Sequence, residues 1–402
     1  LVTRKTIKPL RTSGLAVKNE KMKKYDLIVV GAGIVGTFHA FHAAKMGKKV
    51  LLLEKDNRPV GSTIQNFGQV VPSGLDAYWQ KFGIRSLKVF DELQAMSDFT
   101  LVKNGSVYIA SDEEELNLIN EVSELHNHAG YSQEILSKTA TKVLFPDINS
   151  DYIKGSIIYP EEYSVNSSEF IYKLIDYCEE KLGVEYKNHR AVINIEDQNG
   201  EVVVKTADGE VFLAEKAIIC SGYVFNLLFP EIYRNSGLIV SKLQMMKTEP
   251  LKQFNLKANI LTGLTIRRYE SFEECPSFAN LQTPDHLLAL KKWGIHILFK
   301  QLPDGSIIVG DSHEYAGVCE VENLGLGVSD YINDLMKNEA ELILNIPRKS
   351  YTQTWAGYYA QHPDGIFEHK ISENIEIRTG IGGKGMTTSA GYTEAKINEL
   401  FR

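Results

Sequence analysis

Apolar residues crowd into YDLIVV (Tyr25 to Val30), recur at helical spacing to about Met46, then crowd again from Val50 until a charged stop at Glu54. That order predicts strand, helix, strand. Further along, a cluster of capping residues after Val165 opens a helical pattern that stops at Gly183, which predicts a helix between them. EEELNLINEVSEL (Glu113 to Leu125) shows the same spacing, and TLVKNGSVYIAS before it reads as a hairpin. The short runs AVINIE, EVVVKT and VFL, separated by DQNG and ADG, read as a three-stranded meander. KAIIC follows as a further strand, ending on Ser221 and Gly222. Residues 233–350 hold SKLQMMKTE (Ser241 to Glu249) and two alternating runs about the turn Pro303-Asp304-Gly305. The closing pattern, NIEIRTGIGGKGMTTSAGYTEAKINEL, is strand, glycine-rich loop and helix.

Between the first strand and its helix stands Gly-x-Gly-x-x-Gly, at Gly31, Gly33 and Gly36. With the flanking elements and the terminal acid this is a dinucleotide-binding β-α-β unit. Gly31 permits the tight turn, Gly33 lets the backbone approach a pyrophosphate, and Gly36 allows close helix–strand packing. Ile34 and Val35 open the helix, and Glu54, with Lys55 beside it, is placed to accept from ribose hydroxyls. The loop Gly61 to Gly74 is rich in groups that bond phosphate or flavin, with Ser62, Thr63, Asn66, Phe67 and Gly68 as expected contacts. Val192, Ser221 and Gly222 are expected where the meander and its following strand return to the same sheet. The C-terminal loop repeats the motif at Gly380, Gly382 and Gly385, but only 17 residues follow it, too few for a second unit. Feeding a helix N-terminus, it suits the negative pyrimidine end of reduced flavin, through Gly380, Gly382, Gly383, Lys384, Gly385, Met386 and Thr387. The expected cofactor is therefore FAD, non-covalent because that loop has no cysteine or histidine. The absence of a second unit argues against reduction by NAD(P)H.

At 402 residues the chain exceeds the roughly 250–300 at which one core stops growing, so two domains are expected. Residues 22–95, 152–232 and 352–402 are assigned to the FAD-binding domain, and 96–151 and 233–351 to a substrate domain. The net charge of −7 is uneven: residues 1–24 carry eight Lys/Arg against one Glu, which leaves −14 on the remainder. So acidic a body excludes a nucleic-acid partner. The basic head has no secretory apolar run and the first methionine is Met22, so residues 1–21 read as a disordered extension. No stretch is apolar and long enough for a membrane span. Cys178, Cys220, Cys275 and Cys319 form no Cys-x-x-Cys pair, which points to a reducing cytoplasm. His39 and His42 lie three apart with no third ligand in view, so no metal is expected. Nothing in the sequence sets an oligomeric state.

STIQNFG, SKLQMMKTEP, GLTIRRYESFEECPS, WGIHI, IVGDSHEY, TWAGYYAQHP and GGKGMTTSAG span most of residues 22–402. They resemble the D-amino-acid oxidase/glycine oxidase (DAO) superfamily of FAD-dependent amine oxidoreductases, and within it the clade often encoded beside phosphonate-degradation enzymes. The resemblance implies an α/β fold: a Rossmann-type FAD-binding domain, glutathione-reductase-like and of DAO type, with a discontinuous α+β substrate domain on a mostly antiparallel sheet. It implies a small-molecule amine substrate that loses hydride to flavin N5 from the C–H bond beside nitrogen, giving an imine that hydrolyses, and it admits O2 as electron acceptor. The implied substrate is an aminoalkylphosphonate such as N-methyl-2-aminoethylphosphonate, converted to phosphonoacetaldehyde. The alternatives are glycine, sarcosine or a D-amino acid, and, more remotely, a non-catalytic flavin-binding protein.

Lys384 falls where sarcosine-oxidase-like members carry a lysine for the substrate carboxylate. Arg267 and Arg268 lie in a run read as a strand, so at most one enters the site; members often have histidine at 268, which makes Arg267 the steadier choice. Lys242 and Lys247 likewise differ in parity. Gln244, Tyr269, His296, Trp355 and Tyr358 are candidates for the cavity wall, and Asp311 and His313 either meet the substrate's ammonium or hold loops. No Arg or Lys lies in residues 61–74 or 355–365, so an α-carboxylate clamp from those segments is in question. No catalytic acid or base is named, since the flavin carries the chemistry. A phosphonate approaches two negative charges near neutral pH; two converging cations would suit it, and one would suit a carboxylate.

Overall fold

The computed structural model describes residues 24–402, so the extension expected at 1–21 lies outside the described residues. β1 (Lys24–Val30), helix α1 (Ile34–Lys45) and β2 (Val50–Leu53) form the opening unit, with β1 and β2 parallel. Glu185–Lys187 adds in parallel to β2, Val211–Ile219 to β1, and Ile375–Thr379 to Val211–Ile219. Elements from both ends of the described chain therefore lie in one sheet. Parallel strands are covered on both faces, which is why β2 is buried at every position. α1, Ala77–Met96, Ser167–Leu182 and Gly385–Leu400 share an apolar cluster with that sheet through Phe38, Phe90, Phe170 and Tyr392.

The second sheet is mostly antiparallel. Its spine, Ile239–Thr248, pairs along its length with Tyr351–Gln361 and elsewhere with Ile307–Gly310 and Glu314–Gly317. The sheet continues through Leu298–Gln301, Asn259–Leu261, Ser106–Ala110, Gly155–Tyr159 and Glu134–Ser137, with one parallel pairing, between Asn259–Leu261 and Ser106–Ala110. Gln69–Val70, Tyr163–Val165 and Leu101–Val102 make a small third sheet. Among the described residues no helix is long and apolar enough to cross a membrane.

Four local readings are corrected. TLVKNGSVYIAS is not a hairpin: Leu101–Val102 enters the small sheet and Ser106–Ala110 the second, redirected at Gly105, whose φ is 73°. VFL and KAII are one strand, Val211–Ile219; its first half pairs with Glu201–Thr206 and its second with Ile375–Thr379, and polar Glu215 and Lys216 sit where the partner changes. Arg267 and Arg268 are not in a strand but end the helical turn Gly263–Ile266, which is too short to show a period. Gly155–Tyr159 and Tyr351–Gln361 belong to the second sheet although the expected boundaries place them in the FAD-binding domain, because apolar alternation does not say which sheet a strand joins.

Candidate functional site

Two adjoining cavities run from the first sheet to the second. Ile34, Ser62, Thr63, Tyr359, Ile381 and Gly382 line both, so the two share a boundary. In the first cavity Gly31 has φ 99°, and a Cβ there would meet the carbonyl of Cys220; a Cβ on Gly36 would meet the carbonyl of Gly31. Both glycines thus permit backbone-to-backbone contact that no other residue allows. α1 carries no acid in its first turn and Gly33 caps it without a side chain, which leaves its N-terminus fit for an anion. Thr63 Oγ1 accepts from the Ile34 amide at 2.9 Å, fixing the Ser62–Gln65 turn against that end. Glu54 is buried at the end of β2; its Oε2 accepts from Ala32 N at 2.9 Å and its Oε1 from Asp56 N at 3.1 Å. Each oxygen keeps lone-pair capacity for a hydroxyl donor. These features fit the ADP portion of a dinucleotide.

Gly31, Gly33, Ile34, Val35, Gly36, Glu54, Lys55, Ser62, Thr63, Val192, Ser221, Gly222, Gly380 and Gly382 all line this first cavity. Lys55 is paired with Asp56. Arg190, Tyr223, Arg378 and Thr379 line it too and were missed by the sequence reading. Arg378 follows no glycine motif; it is buried, donates to Glu376 and lies 2.9 Å from His39 Nε2, while its Nε has no partner among the described residues.

The second cavity, ≈ 490 Å³, has the flavin-loop candidates on one side: Asn66, Phe67, Gly68, Gly383, Lys384, Gly385, Met386 and Thr387. Facing them from the second sheet and its connections are Arg268, Tyr269, Glu270, Glu273, His296, Asp311 and His313. His296 and Asp311 are cross-strand neighbours that exchange backbone hydrogen bonds, at 3.1 and 2.8 Å, and His296 Nε2 lies 2.8 Å from Asp311 Oδ1. Burial pushes the Asp311 carboxyl up, but His296, His313 and Arg268 outweigh it and hold the group below the usual carboxylate range. Burial pushes the His313 imidazole down to about 3 against the pull of Asp311. Lys300, also missed, is wholly buried; burial pushes it down to about 7, and it donates to Val165 O at 2.9 Å and Gly68 O at 3.4 Å, pinning the loop beside Phe67.

The substrate candidates divide. Lys384, Arg268, Tyr269 and His296 line the cavity. Lys384 is already engaged, its Nζ 2.5 Å from Glu270 Oε1. Arg268 donates to Tyr315 Oη at 2.8 Å and has no carboxylate in ion-pair range among the described residues. The preference for Arg267 is corrected: it is clamped by Glu115 at 2.5 Å, Asp112 at 2.5 Å and Glu114 at 3.2 Å. Gln244 points elsewhere, bonded to Ser329 and Asn333 at 3.1 Å. Trp355 donates to Gln65 O at 3.1 Å, and Tyr358 donates to Gly325 O and packs on Tyr223; neither lines the cavity. Lys242 bonds Leu324 O at 2.7 Å and Lys247 lies 3.7 Å from Asp304, both outside it. The expectation of no metal-type grouping is also corrected: His296, Asp311 and His313 each bring a ligand atom within 4.8 Å of the others. Strand pairing, invisible in the sequence spacing, makes that cluster.

The profile of the DAO family, FAD dependent oxidoreductase, matches residues 26–395. Glycine oxidase of Bacillus subtilis (strain 168) is 24% identical over 392 residues, covering 94% of this chain and 93% of that protein. Two other curated relatives are matched over only 22% and 59% of their own lengths. Among solved structures, L-proline dehydrogenase from P. horikoshii superposes with TM-score 0.78 at 19% identity, over 94% of each chain. L-alpha-glycerophosphate oxidase from Mycoplasma pneumoniae with FAD bound superposes with TM-score 0.76 at 17% identity, over 94% of this chain and 95% of that one.

Proposed function

The chain belongs to the DAO family of FAD-dependent oxidoreductases, and from that premise we propose that it oxidises a small zwitterionic amine, with FAD held non-covalently across the two cavities. Bound FAD supplies the hydride acceptor for the C–H bond beside nitrogen, and the imine so formed hydrolyses to a carbonyl compound. The protein's task is positioning. The first sheet holds the nucleotide, the Asn66–Gly68 and Gly383–Thr387 segments border the ring, and the wall from the second sheet orients the substrate and limits water. Free cysteines at all four positions support a cytoplasmic setting, and O2 is the proposed acceptor.

One observation carries the choice of substrate class: Arg268 is the cavity cation without a carboxylate partner among the described residues, while Glu270, Glu273 and Asp311 line the same space. A single free cation amid acids matches one carboxylate and one ammonium, as in glycine, sarcosine or a D-amino acid. The aminoalkylphosphonate reading has its own support in Lys384, a second cation in the same cavity, but requires Glu270 to release it. An anaerobic flavin-reduction screen with glycine, sarcosine, D-alanine and N-methyl-2-aminoethylphosphonate separates them. Bleaching by amino acids is the expected result. Bleaching by the phosphonate alone would move the assignment to it, and a flavin left yellow by every amine would support the non-catalytic alternative.

A further inference from the structure

The wall facing the flavin loops holds a carboxylate that the cofactor does not account for. Asp311 is 6% exposed and lines the second cavity. Its Oδ1 is sealed from the cavity against His296 Nε2, 2.8 Å away, and its Oδ2, which is not sealed, has no hydrogen-bond donor among the described residues. An ionised oxygen buried without a donor is costly unless a ligand completes it. His313 stands beside it. Its Nδ1 lies 3.1 Å from the Gly294 carbonyl, and a carbonyl can only accept, so the ring proton sits on Nδ1 and Nε2 is left as an acceptor. Burial pushes that imidazole down to about 3, which favours its neutral form near pH 7.

We propose that the Asp311 carboxylate, through Oδ2, and His313 form the seat of the substrate's amino group, two acceptors of which one carries a full negative charge. This rests on the amine-oxidoreductase reading and assigns the two ends of the substrate: ammonium at Asp311, anion at Arg268. The same three side chains could in chemistry hold a divalent cation. One carboxylate with the Arg268 guanidinium nearby suits a monovalent N–H donor better than a metal. His296 backs the Asp311 carboxylate and bonds Thr265 Oγ1 at 3.3 Å, which makes it a positioning residue.

The test uses the oxidised holoprotein and ligands that cannot react. 2-Aminoisobutyrate has no C–H beside its nitrogen, and isobutyrate is its amine-free counterpart; each is titrated against the flavin absorbance. The wild type should bind 2-aminoisobutyrate at least tenfold more tightly. Asp311→Asn should erase that preference while changing isobutyrate affinity less than threefold, and His313→Gln should reduce it. Should Asp311→Asn not fold, His313→Gln with tert-butylammonium as a second probe gives the same reading. Equal affinity of the wild type for the pair, or equal loss of both ligands in the variants, overturns the proposal. So does stoichiometric divalent metal in the purified wild type that Asp311→Asn lacks. A preserved preference with no amine able to bleach the flavin would instead overturn the proposed function and leave the amine seat standing.

Discussion

Arg267 and Arg268 are adjacent residues with opposite surroundings. Three carboxylates clamp Arg267, and one of them, Glu115, is 1% exposed, so burial already pushes its carboxyl up. Arg267→Leu would strand that charge, a loss of roughly 3–5 kcal/mol, seen as a lower unfolding midpoint with the Michaelis constant of the folded enzyme little changed. Arg268→Leu should do the reverse: an unchanged midpoint, and about 2–4 kcal/mol of lost substrate recognition, a fall in kcat/KM of roughly 30- to 1,000-fold. Exchanged phenotypes would return the anion site to Arg267. Glu162 carries a second residue-scale prediction. It is wholly buried, accepts from Ser73 N at 2.8 Å and Tyr131 Oη at 3.0 Å, and burial pushes its carboxyl up to about 7. Its folded value lies above the ordinary 4.5, so between those values the folded state holds a proton that the unfolded state has released. Stability from this group is full below the lower value and is lost as pH rises through the upper one, on the order of 3 kcal/mol. The difference in midpoint between wild type and Glu162→Gln should therefore swing against the wild type from pH 4.5 to 7.5; a pH-independent difference would mean that Glu162 does not titrate there.

At the scale of elements, the opening β-α-β unit was readable because every part of it is local: glycines that allow two backbones to touch, a helix start without acid, a strand ending on Glu54. A methyl group at Gly36 would press on the Gly31 carbonyl, driving α1 off the turn proposed to face the phosphates. Gly36→Ala should accordingly purify without yellow colour and regain little flavin on reconstitution; a fully loaded variant would show that the helix can shift without harm. The facing wall was not readable in the same way. His296 and Asp311 meet only because residues 296–301 run antiparallel to 307–311, and no spacing in the sequence announces that register. Arg268 was misjudged for a related reason: a helical turn of four residues, Gly263–Ile266, is shorter than any period that could distinguish it from a strand. Lys300 lies in a strand whose alternation was visible, yet its targets, the carbonyls of Val165 and of Gly68, lie in and beside the small third sheet, which strands of two and three residues build.

For the whole molecule, FAD placed across the two adjoining cavities, as proposed, would be a structural bridge between the sheets. Residues 31–68 and 378–387 contribute to one end of it and the second sheet to the other, so a ligand filling that space binds only when both sheets are folded and apposed. Binding to the folded state alone stabilises it by about 2.7 kcal/mol at a hundredfold excess over Kd. Unfolding a chain of 402 residues carries an entropy of about 0.8 kcal/mol/K, so the midpoint should rise by about 3 °C. The bridge adds a sharper requirement. Trp79 sits in the cluster around the first sheet and Trp293 packs against the apolar cluster of the second. Single-tryptophan variants that keep one or the other should report the same FAD-dependent rise, because the cofactor couples the two clusters into one transition. A rise at Trp79 without one at Trp293 would confine the cofactor to the nucleotide cavity, and the wall carrying Arg268 and Asp311 would then lie beyond reach of the flavin.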